Sequence, residues 1–176
     1  SYLSAPIVFW ELGAEVIQIG VKPDGLNINK DCGSTDTKLL SKKVRENKAD
    51  IGLALDGDGD RLIICDENGE VIDGDQILGL LALQLKEKGL LKNDEVVGTL
   101  MTNVGLEKIL GDNSIGLIRA PVGDRYVKEE MLKRDLNLGG EQSGHIILKD
   151  FTSSGDGIVI ALQVLSILSE RNIKVS

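Results

Sequence analysis

An α/β fold is predicted for this chain by three features of its sequence. Short apolar runs of strand length, such as Ile51–Leu55 and Ile115–Arg119, alternate with longer stretches whose apolar residues recur at helical spacing. The switches between them fall at Gly, Asp and Ser, the residues that stop helices and cap them. Hydrophobic residues make up 41% of the 176, enough to build a core around such an alternation.

The elements read as follows. Residues 5–12 form a helix that begins near Ser4 or Ala5 and stops at Gly13. Glu15–Ile19 reads as a strand. A long polar loop, Gly20–Gly33, carries the turn pair Asp24-Gly25. Ser34 or Thr35 then caps a helix to about Lys48, with Leu40 and Val44 spaced i,i+4 on its buried face. Ile51–Leu55 is a short strand, and Arg61–Cys65 and Glu70–Ile72 form a hairpin around Asp66–Gly69.

A further cycle follows. Asp73 caps a helix over Ile77–Leu85 that ends by Gly89. Glu95–Leu100 is a strand, Val104–Leu110 a short helix and Ile115–Arg119 a strand. Asp124 caps a helix to about Arg134. Leu136 and Leu138 lead into a turn at Gly139-Gly140, and His145–Leu148 is a strand. Gly157 to about Arg171 is a strongly apolar helix. The best domain boundary lies near Ile72, after the hairpin, which divides the chain into 1–72 and 73–176. Parallel α/β units commonly open on a central strand, and this chain opens on a helix, so the first unit is expected to lack its opening strand.

Composition excludes several classes of function. The net charge of −8 disfavours binding to nucleic acid or to an anionic membrane surface. Aromatic residues are 3% of the chain, too few for a base-stacking platform. Cys32 and Cys65 are too few for a disulfide scaffold or a four-thiolate zinc site, and both read as ordinary buried thiols of a cytoplasmic protein. No apolar run approaches the ~18 residues of a membrane span, and no signal-peptide pattern precedes the first helix.

The strongest chemical signal is Asp56-Gly-Asp-Gly-Asp-Arg61. Carboxylates at alternate positions after a strand point the same way and converge on one spot. Convergent anions need a cation, and an all-oxygen donor set selects a hard ion, Mg²⁺ or Ca²⁺. Arg61 adds a fixed positive charge that suits a phosphate beside the metal. The plain alternative is a solvated acidic turn. A sharper one is a calcium loop of EF-hand type, with Asp56, Asp58, Asp60 and Glu67 at its ligand positions. Arg61 stands where that loop needs glycine, and the flanks read as strands, so Mg²⁺ ranks above Ca²⁺.

The second signal is Gly139-Gly-Glu-Gln-Ser-Gly-His145. Glu141 and Ser143 suit vicinal sugar hydroxyls, one accepting and the other doing either. His145 is the single histidine of the chain; a lone histidine serves as a structural hydrogen bonder or as a proton carrier. Arg125, in Val122-Gly-Asp-Arg-Tyr-Val127, sits just inside a helix start, where the dipole does not favour a cation; it is a ligand contact or a plain surface arginine. Thr152–Gly157 has the make-up to seat an anion at the start of the last helix, but reads first as an ordinary cap. There is no P-loop, no G-x-S-x-G elbow and no H-E-x-x-H motif.

Together, Asp56–Arg61 and Gly140–His145 resemble the metal-binding and sugar-binding loops of the α-D-phosphohexomutases. Pro23–Asn29, Cys32–Thr35 and Val122–Val127 resemble the bacterial phosphoglucosamine mutase branch. Asp36 departs from that pattern, where histidine is expected. The resemblance runs along the whole chain and implies the second and third of the family's four domains, each an α/β layer with a mixed sheet. It implies Mg²⁺ on Asp56, Asp58 and Asp60, with Arg61 stabilising a transferring phosphoryl group. It implies Glu141 and Ser143 on the sugar, His145 in proton movement and Arg125 on the substrate. The partners it implies are a phosphosugar, the first and fourth domains of a parent enzyme, and a second copy in a homodimer. The family's phosphoserine motif does not occur in these residues, so the chain by itself is expected to lack turnover. The alternatives from other classes are a stand-alone metal and sugar-phosphate binding module, a calcium-dependent structural module, and a mutase of glucose or mannose phosphates.

Overall fold

The computed structural model describes residues 1–176. Six α-helices and seven strands alternate along it. They are α1 (Ser4–Glu11), α2 (Lys38–Asn47), β1 (Gly52–Leu55), β2 (Leu62–Cys65), β3 (Val71–Ile72), α3 (Gly74–Glu87), β4 (Glu95–Thr99), α4 (Val104–Asp112), β5 (Gly116–Ala120), α5 (Asp124–Arg134), β6 (Leu138–Gly140), β7 (Ile146–Leu148) and α6 (Gly157–Arg171). No helix is long and apolar enough to cross a membrane.

The first sheet, in the order β1-β2-β3, is antiparallel throughout, with Leu55 opposite Leu62 and Ile64 opposite Ile72. The connections are the Asp loop and the short turn of residues 66–70, far too short for the helical crossover that a parallel pair requires. Asp66 builds the turn, its Oδ1 accepting the backbone N–H groups of Asn68 and Glu70 at 2.9 and 2.7 Å. Burial pushes the Asp66 carboxyl up, but these hydrogen bonds and those from Gly69 and the Asn68 side chain outweigh it, so it lies below the ordinary carboxylate range. Leu40 and Val44 of α2 pack on the outer face of this sheet, against Ala54, Ile63 and Cys65. Burial pushes the Cys65 thiol up, which keeps it protonated and inert beside Ser41. The burial expected of both cysteines is met at Cys65 and not at the half-buried Cys32.

The second sheet has the order β5-β4-β6-β7 and is mixed: β4 runs parallel to β5 and β6, while β7 is antiparallel to β6. Its strands alternate in which face they serve. Val96 joins the large core beneath α3, α4 and α6, and Val97 joins the smaller core beneath α5 with Val127 and Met131. The large core does not stop at this sheet. Leu62 and Ile64 of β2 belong to it together with Ile160 and Val164 of α6, so α6 is packed by both sheets.

Four further expectations are corrected. Glu15–Ile19 is not a strand: no backbone partner lies beside it, and Ala5 is the one buried residue before Leu40. A run of strand-like residues without a ladder remains extended coil. Helix α2 starts at Lys38, because Ser34 and Thr35 are spent in the preceding turn; Ser34 Oγ is buried without a partner and caps nothing. Asp124 is the first residue of α5, and its cap is Gly123 at φ +128°, with no side-chain bond. Gly139-Gly140 is not a turn but strand β6, paired to β4 through Val97 and Gly139. Glycine is needed there because a Cβ on Gly139 would stand 2.7 Å from the Met131 sulfur.

Candidate active site

The Asp loop follows β1 and shapes itself. Asp56 Oδ1 accepts the backbone N–H groups of Gly59 and Arg61 at 3.0 and 3.2 Å, which bends the chain back on itself. Gly59, at φ +81°, makes the bend possible. The result is that oxygens of Asp56, Asp58 and Asp60 lie within 4.8 Å of one another. Asp58 is exposed, and the other two are partly buried. Arg61 Nε stands 3.7 Å from Asp56 and 3.9 Å from Asp60, outside hydrogen-bond range of either, and is itself buried without a partner. One guanidinium therefore stands near two of three clustered carboxylates, an arrangement that leaves net negative charge at the loop. The donor set is hard oxygen only, which fits Mg²⁺ or Ca²⁺ and not a thiophilic metal.

This loop is docked on the second unit through backbone atoms. Leu62 N–H donates to the Gly144 carbonyl at 3.0 Å, and Gly157 N–H to the Gly59 carbonyl at 2.9 Å. Arg61 and His145 form an isolated antiparallel bridge between the sheets. His145, 4% exposed, sets Nδ1 2.8 Å from Asp60 Oδ2 and so orients one of the three carboxylates. A Cβ on Gly144 would strike the Leu62 carbonyl, and one on Gly155 would stand 2.6 Å from the His145 ring. These close approaches were not read from the sequence, where Thr152–Gly157 passes as a cap. It is a cap as well: Asp156 Oδ1 accepts from Ile158 and Val159 at 3.0 and 3.1 Å. The available signal was glycine at 155 and 157, two residues apart, on either side of the capping Asp.

The loop after β6 is held from the other side. Glu141 is 8% exposed, and its Oε1 accepts the Gly123 N–H at 2.9 Å, which ties this loop to the start of α5. Gly74, the first residue of α3, donates to the Gln142 carbonyl at 3.0 Å. Gln142 Nε2 reaches the Asp73 side chain at 3.1 Å, the same carboxylate that caps α3 in a capping box with Gln76. Asp73, Gln142 and Gly123 had drawn no role from sequence beyond that cap, because side chain to backbone ties across the fold carry no local pattern.

The structure thus gathers Asp56, Asp58, Asp60, Arg61 and His145 into one cluster, with His145 bonded to Asp60. Glu141 joins them through its own short loop. Ser143 lies exposed on that loop and makes no side-chain hydrogen bond. Arg125 is 81% exposed and donates to Glu129 at 2.8 Å, one helical turn along; the Glu129 hydrogen bond and charge hold its guanidinium above its usual range. It makes no contact with the carboxylate cluster. The Pro23–Asn29 segment lies over the Asp loop, with Ile28 against Gly57, and the Cys32–Thr35 segment sets Gly33 against the Leu55 carbonyl.

Comparison with known proteins matches both parts. Residues 5–69 match the family model for phosphoglucomutase/phosphomannomutase, alpha/beta/alpha domain II, and residues 73–176 that for alpha/beta/alpha domain III. Curated proteins named phosphoglucosamine mutase are 57% identical over all 176 residues in Bradyrhizobium diazoefficiens and in Nitrobacter winogradskyi. The chain spans 39% of the length of each. Among solved structures, a phosphoglucomutase/phosphomannomutase family protein from Burkholderia thailandensis superposes with a TM-score of 0.83 at 25% identity, covering 94% of this chain and 37% of that one. The chain belongs to the phosphoglucomutase/phosphomannomutase family.

Proposed function

We propose that these residues are the metal-binding and sugar-binding centre of a phosphoglucosamine mutase, which interconverts glucosamine 6-phosphate and glucosamine 1-phosphate for amino-sugar nucleotide synthesis. The observation that carries this reading is the Asp60–His145 hydrogen bond at 2.8 Å, beside the Arg61–His145 bridge. It fastens a carboxylate cluster suited to Mg²⁺ to a loop suited to sugar hydroxyls, so a phosphosugar spans the two. The name shared by relatives 57% identical over the whole chain supports glucosamine phosphate over glucose or mannose phosphates.

In this reading Asp56, Asp58 and Asp60 would hold Mg²⁺, which when bound would supply positive charge against a transferring phosphoryl group. Arg61 adds a guanidinium at the same place, near Asp56 and Asp60 and with its Nε free to bond a phosphoryl oxygen. Glu141 keeps one oxygen on Gly123 and offers the other to a sugar hydroxyl, with Ser143 beside it. His145 steadies Asp60, and the proton-carrying role the resemblance implies falls to a ring already so engaged. Arg125 meets substrate only by leaving Glu129. Residues 1–72 and 73–176 act as two domains. The phosphoserine and a phosphate-gripping loop come from segments outside these residues, and the resemblance adds a homodimer, which sedimentation of the full-length protein checks. Two free thiols, Cys32 and Cys65, suit the reducing cytoplasm.

The test is turnover. The full-length protein, with Mg²⁺ and a hexose bisphosphate activator, is expected to convert glucosamine 6-phosphate to the 1-phosphate, and the 176-residue chain is expected not to. Turnover confined to mannose or glucose phosphates would move the protein to another branch. Turnover by the chain alone would remove the need for an outside phosphoserine.

A further inference from the structure

The two loops at the mouth of the second sheet hang from one helical turn. Strand β4 is followed by α4 and then β5 on one side, while β6, on its other side, is reached from β5 through α5 on the opposite face. That order creates a switch point between the carboxyl ends of β4 and β6, where open parallel sheets take their ligands. Glu141–His145 stands at the end of β6. Thr99–Asn103 stands at the end of β4, and it is tightly organised. Thr102 Oγ1 accepts the Thr99 N–H at 2.9 Å, and Arg119 Nη1 donates to the Thr99 and Thr102 carbonyls at 3.1 and 2.9 Å. Both threonines are buried.

Both loops meet α3 at adjacent residues. Gly74 donates to Gln142 of one loop, and Asp75 Oδ2 accepts the N–H of Asn103 of the other at 2.8 Å. Asp75 is fully buried, and its Oδ1 has no hydrogen-bond partner. A carboxyl group so placed is dearly kept for helix stability alone, since an exposed acid in the first turn serves the dipole as well. Burial pushes its pKa up, which favours the neutral form that an amide mimics.

We propose that Asp75 is a positioning residue that couples Thr99–Asn103 to Glu141–His145 through the first turn of α3, so that the two walls of the phosphosugar crevice open and close as one body. The crevice's occupant rests on the reading above; the coupling does not.

Hydrogen exchange on the 176-residue chain tests the coupling. Asp75→Ala is expected to speed exchange about tenfold at Asn103 and also at Glu141 and Gly144, leaving the β1–β2 ladder unchanged. Asp75→Asn, which keeps an acceptor for the Asn103 N–H, is expected to restore slow exchange at both loops. Acceleration confined to residues 99–103, or equal acceleration in the two variants, overturns the proposal. Should Asp75→Ala not fold, the wild type carries the test: exchange at Asn103 and Gly144 is expected to share one urea dependence, and separate dependences overturn the coupling. In the full-length protein, Asp75→Ala is expected to raise KM for glucosamine 6-phosphate about tenfold with kcat nearly unchanged, and Asp75→Asn to reverse it. A wild type without mutase turnover would remove the function proposed above, while the exchange result would stand.

Discussion

The Asp56–Arg61 loop and the Gly140–His145 loop meet at one backbone bridge and at the Asp60–His145 hydrogen bond, yet they are held in opposite ways. In the first, the side chains do the shaping and are left under tension. Asp56 gives one oxygen to its own loop, Asp58 is exposed, and Arg61 Nε approaches two carboxylates without bonding either. In the second, Glu141 and His145 are buried and committed, to Gly123 and to Asp60, and the exposed Gln142 is tied to Gly74 and Asp73, which leaves Ser143 free. On the function proposed above, mutual repulsion in the first loop would be relieved by a cation from outside. The second loop needs nothing added to keep its shape. The phosphosugar site proposed above would gain from this division, because the charged half would respond to its ligand while the second loop is already formed.

The largest break in that comparison is at the seam. Gly144→Ala, at φ +92° and against the Leu62 carbonyl, is expected to lose about 2–5 kcal/mol of stability through backbone strain and overpacking, read as a lower urea midpoint. A midpoint unchanged from wild type would show that the two units do not rely on this contact. Asp58→Asn probes the charged half alone. It is expected to weaken Mg²⁺ binding at least about tenfold in a calorimetric titration, without lowering stability in the absence of metal. Equal affinity in the two proteins removes the metal assignment, and displacement of Mg²⁺ by equimolar Ca²⁺ would revive the calcium alternative.

A smaller effect sharpens the buried half. Asp75 has a folded-state pKa raised by burial, so its stabilising contribution is complete below the unfolded carboxylate value and fades as pH rises through the raised one. Relative to Asp75→Asn, the wild type is therefore expected to lose stability from about pH 4 upward. A stability difference that stays flat with pH, or that runs the other way, would show that Asp75 is not desolvated as described. The smallest effect belongs to Arg125. Its pairing with Glu129 is solvent-exposed, so Arg125→Ala is expected to leave the urea midpoint in place. Any change is expected only in KM of the full-length protein; no change there would return Arg125 to the surface.

Most helices were legible because their marks are local. Asp73 with Gln76 forms the capping box ahead of α3, and α6 runs from Gly157 to Arg171 as its periodicity predicts. The hairpin of β2 and β3 follows from Asp66 and Gly69, whose turn chemistry is contained within a few residues. The misreadings share a non-local cause. Glu15–Ile19 has strand composition and no partner. Gly139-Gly140 has turn composition, but β4 and the side chains of Val127 and Met131 draw it into a sheet. A strand is a property of two segments, and one segment cannot declare it.

The candidate site divides along the same line. Sequence alone determined the chemistry: alternating carboxylates, an arginine beside them, and a glycine loop with acid, hydroxyl and imidazole, because residue type and spacing set which ligands a segment suits. Tertiary structure alone decided the assembly. That His145 belongs to Asp60, that Glu141 belongs to Gly123, and that Gly144, Gly155 and Gly157 receive the Asp loop all depend on atoms brought together from distant parts of the chain. The hydrogen bond from His145 to Asp60 crosses 85 residues of sequence. Its existence depends on two sheets sharing α6, and such packing is an outcome of the whole core, with no trace in any single motif.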